Sequence, residues 1–491
     1  MTLIVPLREL LAALPDAETR GNPAVPISGL AYRSADAGPH FLFCCVPGTK
    51  LDGHDFAAEA VVRGATAVLV ERWLPLGEGV TQVLVPSVRW AMGPVASAFY
   101  GRPSERMILV GVTGTNGKTT TTYILEGIFR AAGLVPGVIG TTGARMAGQP
   151  VPIERTTPEA PDFHRLLAEM LDRGVGAVAM EVSSHGLDQH RVGGARYSCS
   201  VFTNLSQDHL DYHGTIDEYY RAKARLFTPE MSERAAVNVD PPEGRRLVDE
   251  IGGSLPVLTY GISEDAEVRA TDIAVRAEGV RFLLDGREVR SPLRGAFNVH
   301  NCLAALATAR QVGIDESVAI GGVAALQGVP GRFEPVDAGQ SFLVVVDYAH
   351  TPDSVENVLL AARPLAGGGR VLVVLGCGGD RDRSKRPLMG EAATRLADLT
   401  VITSDNPRSE DPKGIIAQIE PGARRGGGTY VVEPDRREAI RLALHEAGPG
   451  DVVVIAGKGH ETGQEFADRV VPFDDRVVAG EELEALREEG P

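Results

Sequence analysis

The 491-residue chain is poor in positive charge: 49 lysines and arginines stand against 65 aspartates and glutamates, a formal charge of −16. That balance excludes a general nucleic-acid or anionic-membrane surface, so an anionic partner has to be met by local clusters of arginine and lysine. Cysteine is also scarce. The five cysteines (Cys44, Cys45, Cys199, Cys302 and Cys377) are scattered and lack metal-ligand spacing, which points to buried free thiols in a reducing compartment rather than to a disulfide framework. No apolar run approaches the ~20 residues of a membrane span, and the N-terminus lacks a basic region followed by an apolar one. The expectation is a soluble, cytoplasmic monomer with neither nucleic acid nor membrane as partner. Internal repeats are missing too, and the nearest thing to low complexity, Gly422-Ala-Arg-Arg-Gly-Gly-Gly428, reads as a mobile loop.

What is present suits a large α/β protein. The length implies about three domains, and a 43% hydrophobic share can fill their cores. Up to about residue 103, short apolar runs alternate with turns. Phe41-Leu-Phe43, Ala65–Val70 and Val83–Val85 read as strands and Phe56–Val62 as a helix. Arg102-Pro-Ser104 marks a boundary, and a second lies near Gly331-Arg-Phe-Glu334. The predicted domains are therefore 1–103, 104–334 and 335–491. In the second, strands alternate with helices, which favours a mostly parallel sheet covered on both faces. The alternation restarts in the third with Phe342–Val346, Val371–Leu375, Leu399–Ile402 and Val452–Ile455. Each of these strands runs directly into polar and glycine residues, where open α/β sheets hold their ligands.

The stretch Gly111-Val-Thr-Gly-Thr-Asn-Gly-Lys-Thr-Thr120 follows the apolar run Met107–Val110 and precedes Ile124, Leu125, Ile128 and Phe129 at helical spacing. Strand, glycine-bearing loop and helix form the setting of a phosphate-binding loop. Backbone N–H groups cradle phosphates, Lys118 reaches the terminal ones, and the hydroxyl of Thr119 can hold Mg²⁺. The strict spacing needs glycine at position 112, where Val112 stands between Gly111 and Gly114, so the loop is a variant. The alternative is a glycine-rich turn with a surface lysine.

Two more motifs begin at strand ends. Glu181-Val-Ser-Ser-His-Gly-Leu-Asp-Gln-His-Arg191 places a carboxylate where an ATP-bound Mg²⁺ would need one, with Ser183, Gln189 and Arg191 as candidate holders of an anionic substrate. A solvated strand-end charge is the competing reading of Glu181. Phe202-Thr-Asn-Leu-Ser-Gln-Asp-His-Leu-Asp-Tyr-His-Gly214 packs Asn204, Asp208, His209, Asp211 and His213 into ten residues. Lys223 follows on a helix, on the face of Leu226 and Phe227, so its stem is expected to be buried. A desolvated lysine has a lowered pKa and can be a neutral nucleophile, here toward CO₂.

These stretches resemble the Mur ligases of peptidoglycan synthesis. Asn298-Val-His-Asn301, Pro330-Gly-Arg-Phe-Glu334 and Asp347-Tyr-Ala-His-Thr-Pro-Asp353 extend the likeness. Gly376–Pro387, Asp405-Asn-Pro-Arg408 and Gly457-Lys-Gly-His-Glu461 narrow it to members that add diaminopimelate. The N-terminal part is looser. Arg33-Ser-Ala stands for the family's Asp-Ser-Arg, so only Ser34 carries over, and Arg155-Thr-Thr-Pro158 stands for Asn-Thr-Thr-Pro.

The resemblance implies three α/β domains: an N-terminal mixed substrate-binding domain, a central mononucleotide-binding domain with the phosphate loop, and a C-terminal Rossmann-like domain. It further implies an ADP-forming ligase that joins diaminopimelate to UDP-MurNAc-L-Ala-D-Glu through an acyl phosphate. ATP would lie on Gly114, Thr115, Asn116, Gly117, Lys118, Thr119 and Thr120, with Asn298, Asn301, Arg332 and Asp347 at the adenosine or γ-phosphate. Two Mg²⁺ ions would be held by Thr119, Glu181, His209 and Lys223, the last as N6-carboxylysine. Lys118, Glu181, His209 and Lys223 would carry the chemistry. Ser34, Thr156, Thr157, Ser183, Gln189 and Arg191 would bind the UDP-linked substrate. Arg381, Asp405, Asn406, Pro407, Arg408, Gly457 and Glu461 would bind diaminopimelate. Folylpolyglutamate synthetase resembles the same family but leaves Asp405–Arg408 unexplained, and a GTPase-type switch would need an Asn-Lys-x-Asp motif that the chain lacks.

Overall fold

The computed structural model describes residues 3–48, 51–276 and 278–489. Apolar runs of four to seven residues become buried strands, and three main sheets follow one another along the chain. The first has five strands in the order Glu18–Arg20, Thr81–Leu84, Ala67–Val70, Phe41–Cys44 and Gly29–Ala31, parallel except for the first. The sequence reading placed a helix over Phe56–Val62. The chain makes a 3₁₀ turn, Gly53–Phe56, and then the helix Ala57–Val62.

The second sheet has eleven strands. At its centre Pro136–Gly140, Ala177–Glu181, Ile108–Thr113, Cys199–Phe202, Ala235–Asn238 and Val257–Gly261 run parallel, and antiparallel hairpins extend both edges. Nearly continuous apolar sequence is what a strand buried on both faces requires. One face packs on the helices Lys118–Ala131 and Phe297–Gln311, and the other on Ala160–Asp172 and Ile216–Ala224. The helix Ile216–Ala224 starts on a capping box: Thr215 Oγ1 accepts from Glu218 N at 3.2 Å, and Glu218 Oε2 accepts from Thr215 N at 3.0 Å. That box fixes the helix carrying Lys223.

The third sheet orders Glu334–Val336, Leu343–Asp347, Val452–Ala456, Val371–Cys377, Leu399–Ser404 and Tyr430–Val432, parallel except for the first. All five cysteines are buried and free. Among the described residues no helix is long and apolar enough to cross a membrane.

One expectation fails. Gly422–Gly428 is not a mobile loop: the helix Pro412–Gly426 runs through most of it and ends on Gly427 at φ +77°. Ile415, Ile416 and Ile419 give this helix its buried face. The glycines let its backbone approach Lys385–Leu396. A Cβ on Gly422 would overlap the Pro387 carbonyl group, and one on Gly426 would come within 2.6 Å of Glu391 O. The glycine-rich composition suggests a loop, whereas here glycine serves close helix packing. Gly422→Val is expected to force the two helices apart and lower the thermal unfolding midpoint by several degrees, as overpacking by about 1–3 kcal/mol would. Calorimetry checks this, and an unchanged midpoint would show that the helices repack freely.

Candidate active site

The strand Ile108–Thr113 ends at the centre of the second sheet and delivers the loop 114–117 to the helix Lys118–Ala131. Gly114 and Gly117 adopt φ of +147° and +86°. A Cβ at Gly114 would collide with Thr203 Oγ1, and one at Gly117 with Asn301 Oδ1, so the loop needs glycine at both positions. The neighbouring strand end pins it. Thr115 N donates to Asn204 O at 2.9 Å, Asn116 N to Asn204 Oδ1 at 2.9 Å, and Thr203 Oγ1 to Asn116 O at 2.6 Å.

Lys118 Nζ donates back into its own loop, to Gly114 O at 2.9 Å and Thr115 O at 2.7 Å. Lys223 Nζ, on a side chain buried to 1% exposure, donates to the same Gly114 O at 2.9 Å. Burial pushes both ammonium pKa values down. Glu181 and Asp208 oppose this at Lys118, while at Lys223 the neighbouring Lys118 adds to it and drives the value well below the usual lysine range. Leu226 and Phe227 are buried beside it.

Glu181, 1% exposed, ends the adjacent parallel strand. It accepts from Thr141 N at 2.8 Å and Thr141 Oγ1 at 2.9 Å. Asp208 is buried beside three nitrogen-bearing side chains: His209 Nε2 lies at 3.3 Å, Lys385 Nζ at 3.4 Å and His350 Nε2 at 3.7 Å. Burial alone would raise its pKa, but His350, His209 and Lys385 hold it well below the carboxylate range. Burial pushes His209 down to about 3, helped by His185 and Lys223. Its imidazole is therefore neutral near pH 7 and free to act as a ligand.

A cleft of about 840 Å³ runs from this loop to the carboxyl ends of the third sheet. It is lined by Thr115 to Thr120, Thr156, Glu181, Ser183, His209, Lys223, Asn301, Arg332 and Asp347, and at its other end by Arg381, Asp405, Asn406, Arg408, Gly457 and Glu461. Arg332 Nη2 crosses to Thr119 Oγ1 at 2.9 Å, and Asn116 Nδ2 to Asp353 Oδ2 at 2.7 Å. Asp347 accepts from Phe333 N at 2.7 Å, and burial raises its pKa against the pull of Arg332.

Other expected residues stand behind the lining or away from it. Gly114 contributes its carbonyl to the two lysines. Asn298 Oδ1 accepts from Asn301 Nδ2 at 2.8 Å and so orients it. Thr157 Oγ1 donates to Ser183 Oγ at 3.0 Å. Gln189 Oε1 accepts from Arg191 Nη2 at 2.6 Å, and Arg191 joins Arg155 and Arg89 around Glu159 at 3.0, 3.4 and 3.4 Å. Pro407 packs on Gly379. Ser34 lies in the first sheet's part of the chain, donating to Glu59 Oε2 at 3.1 Å.

Sequence reasoning left several residues without a role. Lys458, fully buried, donates to Asn406 Oδ1 at 2.9 Å and Gly463 O at 2.6 Å and lies 3.4 Å from Glu461 Oε2. Asn406 Nδ2 donates to the same Glu461 oxygen at 2.6 Å. Lys385, His350, Tyr348 and Thr141 also line the cleft. Lys385 and Lys458 sit inside the motifs Gly376–Pro387 and Gly457–Glu461, and their position was the available signal.

Family models match three consecutive stretches: residues 26–100 as "Mur ligase family, catalytic domain", 112–309 as "Mur ligase middle domain" and 331–459 as "Mur ligase, glutamate ligase domain". The chain belongs to the Mur ligase family. This Mur ligase is 49% identical over 486 residues to the UDP-N-acetylmuramoyl-L-alanyl-D-glutamate–2,6-diaminopimelate ligase of Geobacillus thermodenitrificans, covering 96% of this chain and 98% of that one. It is 49% identical over 470 residues to the protein of the same name from Geobacillus kaustophilus, covering 94% and 95%. A solved structure of a ligase of that name superposes with a TM-score of 0.70 at 33% identity, over 98% of this chain and 99% of the other.

Mur ligases are ATP-dependent, and the loop has the geometry to take a triphosphate: two required glycines, backbone N–H groups at a helix start, and a lysine that donates to loop carbonyls. Lys118→Ala is expected to leave the fold intact, by circular dichroism, and remove more than nine-tenths of ATP-dependent phosphate release. A variant retaining over a tenth would put the lysine below ~1.4 kcal/mol of transition-state stabilisation, too little for a phosphate clamp.

Proposed function

We propose that this Mur ligase joins diaminopimelate to the D-glutamate side-chain carboxylate of UDP-MurNAc-L-Ala-D-Glu, with ATP converted to ADP and phosphate, in cytoplasmic peptidoglycan precursor synthesis. The observation that carries this reading is the convergence of the phosphate loop, Glu181 and the Arg408–Glu461 end in one cleft. The names of its relatives support the same substrates. Residues 1–103 would take the uridine end, 104–334 ATP and the dipeptide, and 335–491 the incoming amino acid.

A carboxylate is a poor electrophile. Its oxygen attacks the γ-phosphorus, the bond to ADP breaks, and an acyl phosphate forms. The amine of diaminopimelate then attacks the carbonyl carbon, losing a proton as phosphate leaves. Phosphoryl transfer of this kind rests on positioning and charge neutralisation. Lys118 exchanges its loop carbonyls for phosphate oxygens. Arg332 reaches Thr119 at the start of the helix that follows the loop, and the loop's own Asn116 reaches Asp353, so the two walls of the cleft are tied together. A closed cleft keeps water from the acyl phosphate.

The residues fit divalent ions of the kind that accompany ATP. Thr119 and Glu181 line the cleft beside the phosphate loop, and Mg²⁺ takes one or two protein oxygens and completes its shell with phosphates and water. Thr119 and Glu181 would hold one ion, His209 and Lys223 a second, and the ions supply charge neutralisation. Lys223 is suited to this as a carbamate. Burial and the neighbouring Lys118 lower its basicity; its neutral amine form adds CO₂, forming the N–C bond and releasing a proton, so that the site carries a negative group in place of an ammonium.

Lys223→Ala is expected to be inactive and to regain some ligation when a short-chain carboxylic acid is added to fill the carbamate's place. Full activity without the lysine would rule out the modification, and an inactive variant that no acid rescues would leave it as a plain cation.

The amino-acid preference follows from Arg408. Diaminopimelate differs from lysine by a distal carboxylate, and a guanidinium left unpaired costs roughly 2–5 kcal/mol, or about 30-fold and more in preference. Diaminopimelate should therefore exceed lysine by at least about 30-fold in kcat/KM, and Arg408→Ala should lose most of that margin while ATP affinity holds. Weighing the products by mass spectrometry decides it, and equal use of the two amino acids by the unaltered protein refutes the assignment.

A further inference from the structure

Beside the amino-acid end of the cleft, paired with its lining residue Arg408, stands a carboxylate to which the mechanism above gives no task. Arg408 Nε donates to Glu465 Oε2 at 3.1 Å, and Arg408 Nη1 donates to Gly379 O at 2.8 Å. The ion pair is single-pronged and lopsided: the Arg408 side chain is 20% exposed and that of Glu465 51%. A half-exposed pair of this kind contributes little. A carboxylate that takes one edge of a guanidinium with both oxygens is held more firmly and in a defined orientation. The resident carboxylate is thus the weaker of two possible partners for the same edge.

The backbone of Glu465 has a separate duty. Its N–H donates to Asn406 Oδ1 at 3.0 Å, and its carbonyl accepts from Arg408 N at 2.9 Å. The hairpin Gly463–Glu465 with Val470–Pro472 therefore holds the arginine's main chain whatever the glutamate side chain does.

We infer that Glu465 is a specificity-tuning residue, its side chain occupying the Nε edge of Arg408 until the distal carboxylate of the amino-acid substrate takes that edge. The inference rests on the reading of Arg408 as the receiver of that carboxylate. Its consequence runs against first expectation. With Glu465 in place, Arg408 keeps a weak, half-exposed partner when the distal carboxylate is missing, so an amino acid without one meets a penalty at the lower end of that for an unpaired guanidinium, and diaminopimelate gains only the difference between two carboxylates. Glu465 keeps the arginine ordered in the free protein and lowers the selectivity that the arginine could deliver alone.

Steady-state ligation kinetics of Glu465→Gln test this. KM for diaminopimelate is expected to fall by about three- to tenfold, the preference over lysine to rise by a similar factor, and the KM for ATP not to follow. Glu465→Ala should do the same, because the carboxylate is what competes. Placed on Arg408→Ala, the glutamine substitution should change KM for diaminopimelate less than about twofold, since the two residues act through one contact. A KM that rises or stays unchanged in Glu465→Gln, or that falls equally without Arg408, overturns the inference alone. An unaltered protein that ligates no diaminopimelate, or an Arg408→Ala variant with an unchanged KM for it, overturns the underlying reading as well.

Discussion

Two lysines donate to one carbonyl oxygen, that of Gly114, and the rest of the site is arranged around the cost of that meeting. Two ammonium groups buried this close repel each other and lose hydration, and proteins relieve such strain by letting one group go neutral or by bringing in negative charge. Both tendencies are present. Lys223, the more deeply enclosed, has its basicity suppressed well below the ordinary range, while Glu181 and Asp208 flank Lys118. Asp208 in turn draws in His209, His350 and Lys385, two of them from the far side of the cleft. A charge problem posed by the phosphate loop is thus resolved partly by residues that lie more than a hundred positions further along the chain.

This coupling explains why the cleft is a joint as well as a site. Thr119, Asn116 and Asp208 belong to the second sheet's part of the chain, and Arg332, Asp353 and Lys385 face them across the opening. Each contact joins polar groups whose other natural partners would be phosphate, metal or water. A ligand carrying negative charge can take the place of the accepting groups, Thr119 Oγ1, Asp353 and Asp208, without leaving their donors unpaired, so binding and closure draw on the same hydrogen-bonding capacity.

Much of this was legible in the sequence where the signal is local. The run Met107–Val110 followed by glycines and Lys118 identified a strand, a loop and a helix, because backbone geometry and side-chain chemistry are specified there within a dozen residues. Lys223 was expected to be buried from its spacing to Leu226 and Phe227. The contribution of Lys385 was not visible, since its meaning depends on Asp208, 177 residues away. Nor was the structural role of Lys458, which reads as an ordinary charge in a glycine-rich loop until Asn406 and Glu461 close around it. The misreading of Gly422–Gly428 has the same origin. Glycine signals a turn when only neighbours in sequence are considered, and a close helix contact when Pro387 and Glu391 lie opposite.

Arg408 has a left-handed backbone, φ +52°, as do His209 and Asp380 nearby. Non-glycine residues adopt that conformation at a cost, typically ~1–3 kcal/mol where the surroundings must enforce it. For Arg408 the enforcement comes from elsewhere: its N–H is held by the Glu465 carbonyl, and its loop is pressed against Gly376–Gly379 and tied to Lys458 through Asn406. The four residues Asp405–Arg408 are therefore not a portable recognition element. Moved into another scaffold, they would carry the guanidinium but relax to an extended backbone that aims it elsewhere. A chain that inherits this tetrapeptide must also inherit the hairpin and the buried lysine, so divergence in amino-acid choice within this architecture is constrained to proceed by changing what surrounds the arginine before the arginine itself.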